Sequence, residues 1–187
     1  MKKIVILIIL LLITFGNKSV YAKDCKELIS AAKRGKYAEV NKLIDEGCNL
    51  EIFDLFGMTP LVWSAGKGHI KVANLLINSG VNIDAPERMF GKTALMFSIE
   101  KDQIKSVNFL IEKGTNVETR DKVGYTALMW ATMKNNVDAI KILLKNGANP
   151  NAKVNSGKFV GQTALKIAED GGYPEIVMML KGAGAKE

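Results

Sequence analysis

The sequence predicts an all-α repeat solenoid: about five helix–turn–helix pairs stacked in a row and joined by hairpin-like finger loops. Three observations carry that expectation. A Gly-x-Thr-x-Leu start recurs as GMTPL at Gly57, GKTAL at Gly91, GYTAL at Gly124 and GQTAL at Gly161, at intervals of 34, 33 and 37 residues. From each threonine to the glycine that closes the second apolar run is 21 residues in every copy: Thr59 to Gly80, Thr93 to Gly114, Thr126 to Gly147 and Thr163 to Gly184. Length variation is thus confined to one loop per unit, as in stacked arrays that place insertions in loops.

Counting back 21 residues from Gly47 reaches Lys26, where KELISAAKRGKYAEVNKLIDEG supplies a fifth helix pair without the preceding loop. The units are approximately 24–53, 54–86, 87–120, 121–153 and 154–187. In each later unit the threonine is suited to cap a helix, its hydroxyl accepting an otherwise orphaned backbone N–H. Asp24, with Glu27 three residues on, offers a capping box to the first. Leu61, Val62 and Ala65 then fall at helical spacing, and Val72, Leu75 and Leu76 form a second apolar face after Gly68-His69. Gly80 closes the pair where a positive φ is expected. One such pair cannot bury its apolar face alone, but five stacked pairs can.

Residues 1–22 read as a signal peptide. Lys2 and Lys3 precede an apolar run from Ile4 to Phe15, and a polar stretch ends in Val20-Tyr21-Ala22. That run is short for a membrane span, which takes about 20 residues. Cys25 follows Lys23-Asp24 rather than small apolar residues, which disfavours a lipoprotein. The repeat domain is accordingly expected over 23–187, acting outside the cytoplasm, in the periplasm or as a secreted protein. Removing Lys2, Lys3 and Lys18 takes the formal charge from +7 to +4, a mildly basic balance that mixed surface charge explains without nucleic acid.

The two cysteines, Cys25 and Cys48, lie 23 residues apart and belong to no CxxC or Cys/His cluster, which argues against zinc. Two readings stand for them: a disulfide in an oxidising compartment, or a pair of small buried apolar residues.

A period near 33 with these motifs resembles the ankyrin repeat. The family pattern runs D-x-x-G-x-T-P-L-H-x-A-A-x-x-G-H and then V-x-x-L-L-x-x-G-A-x-x-N. Here it is met by GMTPLVWSAGKGH…VANLLINSGVNID, GKTALMFSI…VNFLIEKGTNVE, GYTALMWAT…IKILLKNGANPN and GQTALKIAE…VMMLKGAGA. Val62, Met96, Met129 and Lys166 replace the motif histidine, and only Thr59 is followed by proline. The low histidine and high Lys, Ile and Asn content is compositionally that of a bacterial protein. The resemblance implies a protein-binding scaffold that contacts its partner through the fingers and the concave face of the first helices.

Two columns follow from that register. The residue before each Gly-x-Thr is Phe56, Phe90, Val123 or Val160, with Leu55, Met58, Met89, Tyr125 and Phe159 beside it. A contiguous apolar patch at fingertips marks a contact surface, unless adjacent fingers pack these side chains on one another. Arg34, Lys67, Lys101 and Lys134 form a second, basic column on the turn edge of the first helices. Such a column suits an acidic partner. A third set, Trp63, Phe97 and Trp130, shares one register and is assigned to the inter-repeat core, with Ser30 and Ile167 less buried at the ends. The loop 148–161 is about four residues longer than its counterpart and is expected to protrude.

The single histidine, His69, sits where the pattern uses one structurally, and no Ser/His/Asp set or phosphate loop is present. The chain is therefore expected to be no enzyme, with no catalytic residue, metal or cofactor. Its expected partner is another protein, not nucleic acid, and not a membrane once the leader is removed; the chain is expected to be a monomer. Two other roles fit the same pattern: a dedicated inhibitor or protective partner of one exported enzyme, and an envelope structural protein tethered by an uncleaved N-terminus.

Overall fold

A computed structural model describes residues 25–186, so the leader and Asp24 lie outside the described residues. Among the described residues ten α-helices follow one another: α1 Glu27–Lys33, α2 Tyr37–Asp45, α3 Pro60–Gly66, α4 Ile70–Asn78, α5 Ala94–Glu100, α6 Ile104–Glu112, α7 Ala127–Met133, α8 Val137–Lys145, α9 Ala164–Asp170 and α10 Pro174–Gly182. A 3-10 turn, Gly157–Phe159, lies in the last finger. The first helix of each unit has 7 residues and the second has 9. Helices this short do not persist alone in water, so each depends on its neighbours.

The four threonines begin their helices as expected. Thr59, Thr93, Thr126 and Thr163 are extended, and their hydroxyls accept from the backbone N–H of Val62, Met96, Met129 and Lys166 at 3.1–3.4 Å. Unit one differs: α1 starts behind Lys26, which makes no side-chain cap bond. At the histidine position of the motif, Val62, Met96 and Met129 are buried, so apolar packing between units stands where a hydrogen bond would. Lys166 is exposed on the last unit and pairs with Asp170 at 2.8 Å. A polar outer face on a terminal unit keeps an open stack soluble.

Two leucine columns run through the stack. Leu28, Leu61, Leu95, Leu128 and Leu165 line it on the first helices; Leu76, Leu110, Leu143 and Leu180 line it on the second. First helices pack on one another more closely than second helices do, which puts the first helices on the inside of the curve. Side chains also tie unit to unit through backbone N–H groups. Glu51 accepts from Asn82, Asp84 from Asn116, Glu118 from Asn149, and Asn151 from Lys186, all at 2.8–3.2 Å. His69 lies 3.2 Å from the carbonyl of Lys33, its ring against Gly35. Gly35 has φ +68°, and a Cβ there would come within 2.6 Å of that ring.

Cys25 and Cys48 form a disulfide with Cα atoms 5.6 Å apart, joining the start of α1 to the residue after the α2 turn. The bond closes the unit that has no finger to bury it. Replacing both cysteines by serine is expected to lower stability by about 3 kcal/mol on the chain-entropy account. Because coupling runs between nearest neighbours, hydrogen exchange should show protection lost first in α1 and α2 and retained in α7 to α10.

Candidate partner-binding face

The fingers are hairpins, and the first three are each organised by one carboxylate. In the first, Asp54 Oδ1 accepts from the N–H groups of Phe56 and Met58 at 2.9 Å, and Oδ2 accepts from the Trp63 indole at 2.7 Å. In the third, Asp121 Oδ1 accepts from Val123, Gly124 and Tyr125 at 2.9 Å, and Oδ2 accepts from the Trp130 indole at 2.9 Å. The second hairpin pairs Glu87 with Lys92 where the first pairs Asp54 with Met58, one residue more. The longer acid fits it: Glu87 accepts from Met89, Phe90 and Lys92 at 2.6–3.1 Å. The aromatic at that register is Phe97, which has no N–H to give.

This arrangement refines the assignment of Trp63 and Trp130 to the core, against which both pack without being enclosed by it. Both are half-buried, because their indoles turn towards the finger carboxylates. Phe97 is buried, its ring 5.8 Å from that of Trp63 in an edge-on contact and laid against Gly66. At the ends, Ser30 is exposed but Ile167 is buried. The pairing of Asp with Trp and Glu with Phe is visible in the sequence once the finger acid is aligned with the helix.

Of the apolar finger column, Phe56 is 62% exposed, Phe90 53%, Val160 63%, Met89 55% and Phe159 38%. Val123 is half-buried. Met58 and Tyr125 do not present themselves: both are buried, since the residue between the glycine and the threonine turns inward beneath the finger. The Tyr125 hydroxyl donates to Gln162 at 2.9 Å, and its ring lies 6.0 Å from that of Phe159. In the long finger, residues 155–161 are all exposed. Leu55 is fully exposed but lines a different cavity, of about 910 Å3, with Lys26, Phe53 and Arg88.

Arg34, Lys67, Lys101 and Lys134 are exposed and each directly follows its first helix, at the C-cap. A cation there meets the negative end of the helix dipole, which accounts for the column without a ligand. Lys101 alone of the four lines the groove formed by the fingers. That groove, about 300 Å3, lies between the first two fingers and is walled by Phe56, Met89, Phe90, Trp63, Phe97 and Lys101.

A feature with no signature in the sequence closes its floor. Lys92 is buried, its ammonium 2.5 Å from Glu100 and within 4.9, 5.0 and 5.8 Å of the ring centres of Phe90, Trp130 and Phe97. The other Glu100 oxygen meets Lys101 at 3.0 Å. Burial pushes the Glu100 carboxyl upward, but the two lysines outweigh it and hold the group below its ordinary value of 4.5. Among the described residues no cluster of His, Cys, Asp and Glu could hold a metal ion, and no helix is long and apolar enough to cross a membrane.

The family model for ankyrin repeats (3 copies) matches residues 28–121 and 116–186, nearly all of the described solenoid. The chain belongs to the ankyrin repeat family. Ankyrin repeats are in general protein-interaction modules, and the finger face described above lies on such a scaffold. A similar protein is the E3 ubiquitin-protein ligase XBAT32 of Arabidopsis thaliana, 35% identical over 71 residues. The match covers 37% of this chain and 14% of that ligase, so it reports the repeats they share.

Two outcomes test the groove's construction. Replacing glycine by alanine inside a helix ordinarily stabilises by about 0.5–1 kcal/mol. Gly66→Ala should instead destabilise, because its Cβ would come within 2.2 Å of the Phe97 ring; urea unfolding followed by Trp63 emission reads it. Glu100→Gln should cost about 1–3 kcal/mol near pH 7, leaving Lys92 buried without its counter-ion. A carboxyl whose folded value is lowered stabilises above its unfolded value and loses that contribution as pH falls. The gap between parent and variant should therefore close as pH drops from about 4.5, and a constant gap would show that charge is not what Glu100 supplies.

Proposed function

We propose that this chain is an exported, non-catalytic adaptor that holds another protein against its first three fingers and the inner face of its first helices. The observation that carries the reading is the exposure of Phe56, Met89 and Phe90 side by side at a groove that Trp63 and Phe97 also wall. Apolar side chains held outward by hydrogen-bonded hairpins do nothing for the stack, and large exposed apolar patches on soluble proteins mark contact sites. Aromatic and methionine enrichment is the composition of interface centres. Export is supported by the pattern of residues 1–22 and by the Cys25–Cys48 bond, since structural disulfides persist in oxidising compartments.

The test is affinity capture from the exported proteins of the source cell, with the parent chain and a Phe56→Asp/Phe90→Asp variant as baits. Both substituted residues are exposed, so circular dichroism should report unchanged folding. A protein held by the parent and lost by the variant is the expected result; equal capture by both would remove the fingers from the binding site. The exported form should begin at Lys23 by N-terminal sequencing and show no free thiol. A chain recovered with Met1 in the membrane fraction would favour the tethered reading instead.

A further inference from the structure

We infer that the groove between the first two fingers takes an extended acidic segment of a partner protein, an aliphatic or aromatic side chain entering the groove and flanking carboxylates meeting its rim. The inference rests on the protein-binding reading above and adds the chemistry of the occupant. Its basis is the direction in which the charges around the groove face, which differs between acids and bases.

The acids face inward. Glu87 is 2% exposed and both its oxygens accept backbone N–H groups of its own finger. Asp54 is shared between two backbone N–H groups and the Trp63 indole. Glu100 is held between Lys92 and Lys101. The cations face outward and lie on the ring faces. Lys33 is exposed, its ammonium 4.0 Å above the Trp63 ring, and among the described residues no carboxylate lies within ion-pair distance of it. Lys101 is exposed, 5.0 Å from the centre of the Phe97 ring, and shares Glu100 with Lys92. Arg88 is exposed on the second finger, 3.9 Å from the Phe53 ring; it and Lys33 line the neighbouring cavity beside Leu55, while Lys101 is the exposed cation that lines the groove itself.

An extended ligand lying along the groove and the neighbouring cavity therefore meets apolar surface with Lys101 at one margin and Lys33 and Arg88 at the other, while Asp54 and Glu87 are engaged by backbone amides and Glu100 by two lysines. Ammonium groups already over the rings occupy the positions that a basic peptide would need for cation–π contact, and they repel it. A carboxylate gains from the same rim, and like-charge exclusion then gives specificity. The volume, about 300 Å3, suits one or two large apolar side chains. A nucleic-acid strand needs a track of cations along its backbone with rings offered for stacking; here the Phe97 ring is buried and the cations are divided between the groove, lined by Lys101, and the neighbouring cavity, lined by Lys33 and Arg88.

The experiment selects binders from a phage-displayed library of random twelve-residue peptides on the full chain, and measures the enriched peptides by fluorescence polarisation. The expected result is enrichment of peptides with Asp or Glu beside Leu, Ile, Met or Phe. Their affinity should fall at least tenfold with Phe90→Asp and about three- to tenfold with Lys33→Gln or Lys101→Gln. Lys145→Gln, on the far helix α8, should leave it unchanged, and raising salt from 50 to 500 mM should weaken binding to the parent. Enriched peptides that are neutral or basic, yet lost with Phe90→Asp, would overturn the acidic occupant and leave the finger-binding reading standing. Peptides indifferent to Phe90→Asp, or no enrichment, would overturn the groove itself, and the capture experiment then decides the adaptor reading separately. Tighter binding of a twelve-nucleotide oligothymidylate than of any peptide would also overturn it.

Discussion

The architecture depends on burial between successive units. No helix of 7 or 9 residues can pay for its own ordering in water, and no single pair encloses Leu95 or Leu128. Each leucine is covered only because the next unit places its own leucine in register, so stability and repetition are the same property. The end units follow from this. The first shows no preceding finger among the described residues and is closed by the Cys25–Cys48 bond, and the last exposes Lys166 where the inner units bury Val62, Met96 or Met129. The side-chain bridges from Glu51, Asp84, Glu118 and Asn151 fix the angle between neighbours but presuppose that the columns have already brought them together.

On this frame the finger carboxylate sets what the protein can present. By accepting two or three backbone N–H groups, Asp54, Glu87 and Asp121 fold each hairpin tightly enough for the next residues to point outward. The spare oxygen of each aspartate then draws a tryptophan from the helix behind it. Where the hairpin is one residue longer, glutamate spends both oxygens on the backbone and phenylalanine stands in for tryptophan. Local turn chemistry therefore decides whether the ring on the inner face keeps a polar tie or lies down against its neighbour. Phe97 can lie down because Gly66 leaves room for it.

Periodicity made the fold legible, since a constant 21-residue helical part could be counted without knowing any contact. Threonine caps, closing glycines and buried leucines all follow from that count. The face was legible only in part. Register correctly grouped Phe56, Phe90 and Val160 as exposed, but it could not tell which side of a hairpin a neighbour takes, so Met58 and Tyr125 were grouped with them although both are buried. The basic column was legible as a column but not as a set of helix C-caps, of which only Lys101 reaches the groove. The enclosure of Lys92 by rings from two units and by Glu100 left no pattern to read, because Trp130 is supplied by the next unit and a lysine at this register, Lys92, has no counterpart in the other fingers.

Binding and stability are consequently coupled unevenly over this surface. Phe56 and Phe90 stand outside the leucine columns, so they can change with little effect on the stack. Lys92 and Glu100 are different: Lys92 lines the groove, and the two are a largely buried ion pair, whose separation leaves an uncompensated charge. Lys101 sits between the two cases, since it is exposed, leans on Phe97 and helps hold Glu100. A partner's carboxylate arriving at the rim would compete with Glu100 for Lys101 but not for Lys92, which stays enclosed. The groove can therefore exchange its outer ion pair for a partner's without disturbing the inner one, and this division lets one repeat scaffold both hold its shape and offer charge to a ligand.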